Sequence, residues 1–393
     1  GNAYQDYGHS HWHNSLLWGE DLHDVSIMGP GRIWGKGLYR SEVKGDQSAN
    51  KAIALLRCRN VIIRDISILH GGWFAILATG VDNFTLDNVK MDTNRDGVDV
   101  DACKNVRISN CYVNSPWDDG ICLKSSYALG YARSTENVTI SNCQVSGYEE
   151  GSLLDGTFKR TVDSAMAARG QYPIGRIKFG TESNGGFKNI TISNCVFDHC
   201  RGLALESVDG ALLENVTITN ISMRDIGSDP IFLRLGARMR GPAADTIGAI
   251  RRVIISNVVV YDAHSPSACT ISGLPGHAIE DVELSHIRIY YSGGGRAELA
   301  GRQVPEEEKR YPEPGMFGAS PAYGFFIRHV RNLKMTEVEC VQMSPDGRPA
   351  VRMDDVHGAY IQHLTVPDNP DQRRLQLNEV SSISVLQTPG IPD

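Results

Sequence analysis

The residues best equipped for chemistry in this sequence are three aspartates: Asp96 in NRDGVDVDA, and the adjacent Asp118 and Asp119 in PWDDGICLKS. Carboxylates held close together can divide their labour, one kept protonated as an acid and another ionised to activate water. Asp96 lies 13 residues after Asn83, and Asp118 lies 13 after Asn105, each asparagine opening a similar phrase. In the next copy, anchored at Asn137, that point falls at Glu149 and Glu150. If the phrases are stacked strands, Asp96 and Asp118 occupy the same point of adjacent rungs, roughly 4.8 Å apart. Four or five carboxylates then meet on one edge. Like charges one strand apart repel, which raises the pKa of at least one of them. A solvated acidic face or a calcium site would use the same residues.

The elements that position them are repeats. NVIIRDISI at Asn60, NFTLDNVKM at Asn83, NVRISNCYV at Asn105, NVTISNCQV at Asn137, NITISNCVF at Asn189 and NVTITNISM at Asn215 vary one unit. Looser copies stand at Arg252, Asp281, Asn332 and Ser382. The first six anchors are spaced by 23, 22, 32, 52 and 26 residues, a short unit with long insertions, as in a solenoid. Each phrase alternates, is rich in β-branched residues and lacks proline, which is strand chemistry. A second short strand follows about a dozen residues later (GWFAIL, GVDVDA, GICLKS, GLALES, IFLRLG). The expectation is an all-β parallel β-helix of about 10–12 coils, one domain over 1–393, with insertions near 157–174 and 293–323. The recurrent asparagines are read as a ladder of side-chain amides satisfying the turn backbone. The glycosylation-like triplets (NFT, NVT, NIT, NIS) coincide with it and are read as turns. Strand-like residues within the first twenty positions suggest a short end cap, or further coils before residue 1.

Composition narrows the partners. A net charge of -7 provides no broad basic face, which argues against nucleic acid or an anionic membrane. Nothing at the start reads as a signal peptide; a secreted or periplasmic setting is expected with any signal already absent. Cys111, Cys143 and Cys195 occupy the place held elsewhere by Ile66, Val89, Ile221 and Val258. Residues that exchange with Ile and Val are expected to be reduced core thiols.

NRDGVDVDACKNVRISNC followed by PWDDGICLKSS resembles the polygalacturonases, glycoside hydrolase family 28, whose motifs read N-T-D, D-D, G-H-G and R-I-K. The resemblance runs from SIMGPGRIWGKG through the repeats. It implies a right-handed β-helix and hydrolysis with inversion, using carboxyl groups set wider apart than a retaining pair. By position it makes Asp118 the general acid, has Asp96 and Asp119 orient and deprotonate water, and has Asn94 hold the cluster. The departures are as informative. Gly147-Tyr148-Glu149-Glu150-Gly151 stands where the family carries G-H-G. Arg176-Ile177-Lys178 belongs to the coil before the one expected, where Ala204 and Glu206 stand instead. Arg176 and Lys178 alternate on a strand and either bind a substrate carboxylate or pair with Glu150 and Glu206. A modified pectic oligosaccharide, or a neutral sugar at the cleaved position, is then as good a substrate as plain polygalacturonan.

Lys124, Trp73, Trp117 and His13 complete the expected glycan contacts. Trp73 and Trp117 are either stacking platforms or packed turn residues. His9, His11 and His13 alternate and could share a strand face. Trp12 and Trp18 nearby favour a sugar subsite or plain surface over zinc, about three rungs from Asp96, on the order of 15 Å. Arg234, Arg238 and Arg240 are read as a basic patch for a distal carboxylate, and the 293–323 insertion as a wall at one end of a groove, favouring exo action. No metal or cofactor is expected. Two readings of other kinds stay open: a calcium-dependent polysaccharide lyase, and a non-catalytic glycan-binding solenoid.

Overall fold

The computed structural model describes residues 4, 7–38, 50–161, 171–242, 244–264, 268–367 and 374–388. The alternation in each phrase sorts its residues to two sides. On Arg59–Leu69 the side chains of Val61, Ile63, Ile66 and Ile68 turn inward and are buried, while Arg59, Arg64 and Ser67 turn out. Successive phrases then stack in parallel. One inward column runs Val25, Val61, Phe84, Val106, Val138, Ile190, Val216, Val253, Val282, Leu333, Ala359 and Ile383, twelve rungs in unbroken register. The second strands form a parallel ladder of their own, through Phe74–Thr79, Asp96–Asp101, Ile121–Ser125, Ile177–Ser183 and Leu203–Ser207. The result is a right-handed parallel β-helix. Each interior Val, Ile, Leu or Phe contributes on the order of 1.5–3 kcal/mol by leaving water. All nine cysteines are free and buried, and Cys195 stands in the column of Ile221, Val258 and Ile287.

The asparagines do form a ladder, but of a different kind from the one expected. Their amides bond to one another between rungs: Asn83 Nδ2 donates to Asn60 at 3.0 Å, Asn137 to Asn105 at 3.1 Å, Asn189 to Asn137 at 3.2 Å and Asn215 to Asn189 at 3.0 Å. Their backbones are left-handed, with φ between 51° and 60°, a conformation Asn tolerates better than most residues. A second ladder runs five residues later through Asn110, Asn142, Asn194, Asn220 and Asn257. Both bends of each phrase need a left-handed residue, and both use the same solution.

Two segments lie over the ladder of second strands. The turn of helix Tyr7–Ser10 sets His9 between Asp99 and Asp101, and Lys51 Nζ donates to the His11 carbonyl at 2.9 Å. The 293–323 insertion is fastened by arginines that donate to its carbonyls: Arg328 to Val304 and Pro305, Arg234 to Glu306, and Arg352 to Ala300 and Arg302. Its Met316 and Phe317 pack on Ala204 and Phe232. Arg234 is thus buried structural glue and no part of an open basic patch. The core of the other insertion, 162–170, lies outside the described residues. Among the described residues no helix is long and apolar enough to cross a membrane.

Candidate active site

The three aspartates meet at the entry of two adjacent strands. Asp96 opens Asp96–Asp101, where the Gly97 N–H donates to the Asp119 carbonyl at 3.0 Å and Val98 stands opposite Ile121. Asp119, not Asp118, is therefore level with Asp96. Equal offsets from the anchors misjudge this because Asp92 pairs with Asn114, yet Asn114 to Gly120 spans one residue more than Asp92 to Gly97. The extra residue is taken up in the Ser115–Asp119 turn, which swings Asp118 outward. One carboxylate oxygen from each of Asp96, Asp118 and Asp119 lies within 4.8 Å of the others. This is a spacing between single oxygens, whereas the roughly 6.5–9.5 Å of an inverting pair separates whole carboxyl groups. Spacing therefore does not supply the stereochemistry that the resemblance implies.

Their surroundings separate their protonation. Asp96 is buried, and burial together with the neighbouring Asp118 and Asp99 pushes its carboxyl well above the usual range. Asp118 keeps about a quarter of its side chain (24%) open to solvent and accepts from Arg95 Nε at 2.8 Å. Burial of its carboxyl raises its pKa against the pull of Arg95. Burial would also raise Asp119, but Lys178 at 3.6 Å and Arg176, donating from Nε at 2.8 Å, overcome it and hold it low. One cluster thus contains carboxyls whose proton affinity burial raises and one whose affinity the neighbouring cations lower.

A cavity of about 250 Å³ opens above these residues, lined also by Arg95, Lys124, Lys178, Glu182, Arg240 and Tyr311. Charges alternate along its floor. Lys124 lies 3.1 Å from Asp99 and 3.5 Å from Glu182, and Arg240 reaches Glu182 at 3.4 Å and Asp209 at 3.5 Å. Lys178 lies 3.5 Å from the fully buried Glu206, whose carboxyl burial pushes up to about 8 despite Lys178. Arg176 and Lys178 do belong to the coil before Ala204 and Glu206, since Lys178 stands opposite Ala204. Their partners are Asp119, Glu206 and Glu313, with Glu150 not among them.

Other expected contacts separate from this centre. Glu149 is exposed on a turn, and Glu150 accepts from Asn94 Nδ2 at 3.2 Å and pairs with His70 at 3.1 Å. Asn94, Glu150 and His70 line a different cavity, of about 260 Å³. The Glu pair thus adds nothing to the aspartate edge, because the chain turns away after Ser146 instead of continuing as a strand. Trp73 is only 2% exposed and lies under the Arg95 guanidinium, 3.5 Å from the ring centroid, so it supports Arg95 and offers no face to a sugar. Trp117, 40% exposed, keeps a face for one. His9 and His13 do not share a strand face: His9 is buried, and His13 is exposed against Trp12 and Trp18.

The residues that sequence reasoning missed are Arg95, Glu182, Tyr311 and Glu313. Arg95 was legible, as it stands where N-T-D has Thr. Tyr311 and Glu313 arrive from an insertion well over a hundred residues further on.

The family described as "Right handed beta helix region" matches residues 36–164. A curated protein, "Probable polygalacturonase" of Vitis vinifera, is 23% identical over 299 residues, covering 66% of this chain and 57% of its own. The exopolygalacturonase of Thermotoga maritima is 20% identical over 62% of this chain and 50% of its own, with a TM-score of 0.49. The polygalacturonase of Erwinia carotovora is 14% identical over 86% of this chain and 73% of its own, with a TM-score of 0.41. The chain therefore spans little more than half the length of the curated relative. The polygalacturonase-like character read from its motifs recurs in that relative.

Proposed function

We propose that this divergent, polygalacturonase-like β-helix hydrolyses a glycosidic bond in a pectin-related glycan. Asp118 serves as the general acid, Asp119 as the ionised base, and Asp96 helps to orient the water. The carrying observation is that three carboxylates within 4.8 Å of one another have their pKa values pushed in opposite directions, Asp118 raised and Asp119 lowered. A general acid and a general base need that division to coexist near neutral pH. Inversion at the anomeric carbon comes from the resemblance. The segment around His9 at one end of the groove and the 293–323 insertion at the other support attack at a chain end. A secreted or periplasmic setting belongs to the same proposal.

The cluster is an unfavourable calcium site, because Arg95, Lys124, Arg176 and Lys178 surround it and offset the carboxylate charge. This argues against the lyase reading. The deciding experiment is a panel of pectic and other plant glycans with products read by mass. Products that gain one water per cleavage support hydrolysis, and proton NMR of the newly formed anomer reads inversion or retention. Unsaturated uronate products abolished by a chelator would overturn the proposal in favour of a lyase.

A further inference from the structure

Glu313 has an unusual position. It arrives on the 293–323 insertion and places its carboxylate among three cations of the helix: both terminal nitrogens of Arg176, Arg201 Nη1 at 2.8 Å and Lys178 Nζ at 3.9 Å. This knot separates two cavities. Lys178 and Tyr311 line the one over the aspartates, while Arg201 and Glu313 line a second, of about 440 Å³, beneath the insertion. Two residues before Glu313, the Tyr311 hydroxyl lies 3.3 Å from Lys178 Nζ and its ring lies 5.1 Å from Arg238. The segment is thus held at two points directly beside the reacting groups.

Planar, forked donors such as Arg176 and Arg201 suit a carboxylate. With Glu313 in place they already have one. We propose that Glu313 is the specificity-determining residue of the cleavage site: a carboxylate carried by the chain itself, filling the cationic cradle so that the site takes a sugar bearing no free carboxylate there. The inference rests on the glycoside hydrolase reading for its location and names the substrate class, a neutral hexose or an esterified uronate. A free uronate would have to displace Glu313 from three cations or sit beside its charge, and either is unfavourable. Without Glu313, Arg176 retains Asp119 and Lys178 retains Asp119 and Glu206 as partners, whereas Arg201 loses its ion pair with Glu313. The cradle would then accept an anion.

The test measures binding by titration calorimetry, with D-galactose, D-galacturonate and methyl galacturonate as probes, on the full chain and on E313A and E313Q. Wild type is expected to favour galactose and the ester over galacturonate. E313A is expected to bind galacturonate at least about tenfold more tightly than wild type, the scale of one hydrogen bond to a charged group. E313Q should shift in the same direction, the gain being read in both variants as galacturonate affinity relative to galactose. The inference is overturned if wild type binds galacturonate as well as the ester, or if galacturonate gains nothing on galactose in either variant, undetectable binding included. Should neither variant fold, the wild-type comparison of acid with ester decides alone. Binding needs no turnover, so a protein that discriminates as expected but cleaves nothing retains this inference and loses the hydrolase reading.

Discussion

The outer bends and the inner groove of this helix present the same geometry, side chains stacked rung upon rung, and solve it in opposite ways. At the bends one residue type recurs, because an amide both donates and accepts: Asn215 donates to Asn189, which donates to Asn137. In the groove a repeated residue would stack like charges, so the signs alternate instead, Asp99 to Lys124 to Glu182 to Arg240. Identity between copies is stabilising where the group is self-complementary and destabilising where it is charged. The groove therefore had to depart from the repeat, and the departures are where chemistry becomes available.

Breaking the groove's charge pattern should have the largest effect. Arg176→Met deprives Asp119 and Glu313 of a shared partner and should cost about 3–5 kcal/mol in urea unfolding, with a rise in the Asp119 pKa. Asp118→Asn should leave the unfolding midpoint nearly unchanged and lower kcat at least about a hundredfold, or ~2.7 kcal/mol. For the wild type, kcat/KM should be bell-shaped. The alkaline limb falls as Asp118, with its raised pKa, loses its proton, and the acid limb falls as Asp119, with its lowered pKa, gains one.

Glu206 sharpens the comparison through stability. Its folded pKa of about 8 lies above the ordinary 4.5, so the folded chain holds a proton that the unfolded chain releases between those values. Its contribution is full below pH 4.5 and is lost as pH rises towards 8, by at most about 1.4 kcal/mol per pH unit. Glu206→Gln should flatten that slope in pH-dependent unfolding. An unchanged slope would mean that the groove does not bury a protonated acid. Asn215→Ala at the bends should have the smallest effect, about 1–2 kcal/mol in thermal unfolding with kcat untouched. A loss of activity there would break the division between a structural bend and a chemical groove.

How far the sequence could be read follows the same division. The inward columns, the reduced thiols and the grouping of Asp96, Asp118 and Asp119 were legible, because each copy of the phrase repeats the same environment. The second amide ladder was legible too, in the second Asn of NVTISN, and was overlooked. Trp73, left open between a sugar platform and a packed turn residue, and Glu150, placed on the aspartate edge, share one difficulty. Each sits in a turn, where the period-two rule that assigns faces on strands no longer holds. The register of Asp118 failed similarly, on a single extra residue in a turn.

The sequence by itself determined the solenoid and the three aspartates, since both follow from local spacing and nearest-neighbour rungs. Only the tertiary structure decided which of those aspartates is held ionised. That depends on Arg176 and Lys178 one coil on, cations that Glu313, 137 residues from Arg176 on a loop held by arginines that bind backbone carbonyls, also engages. Electrostatic coupling acts through space across a few ångströms, and no spacing along the chain encodes which loop will close that distance.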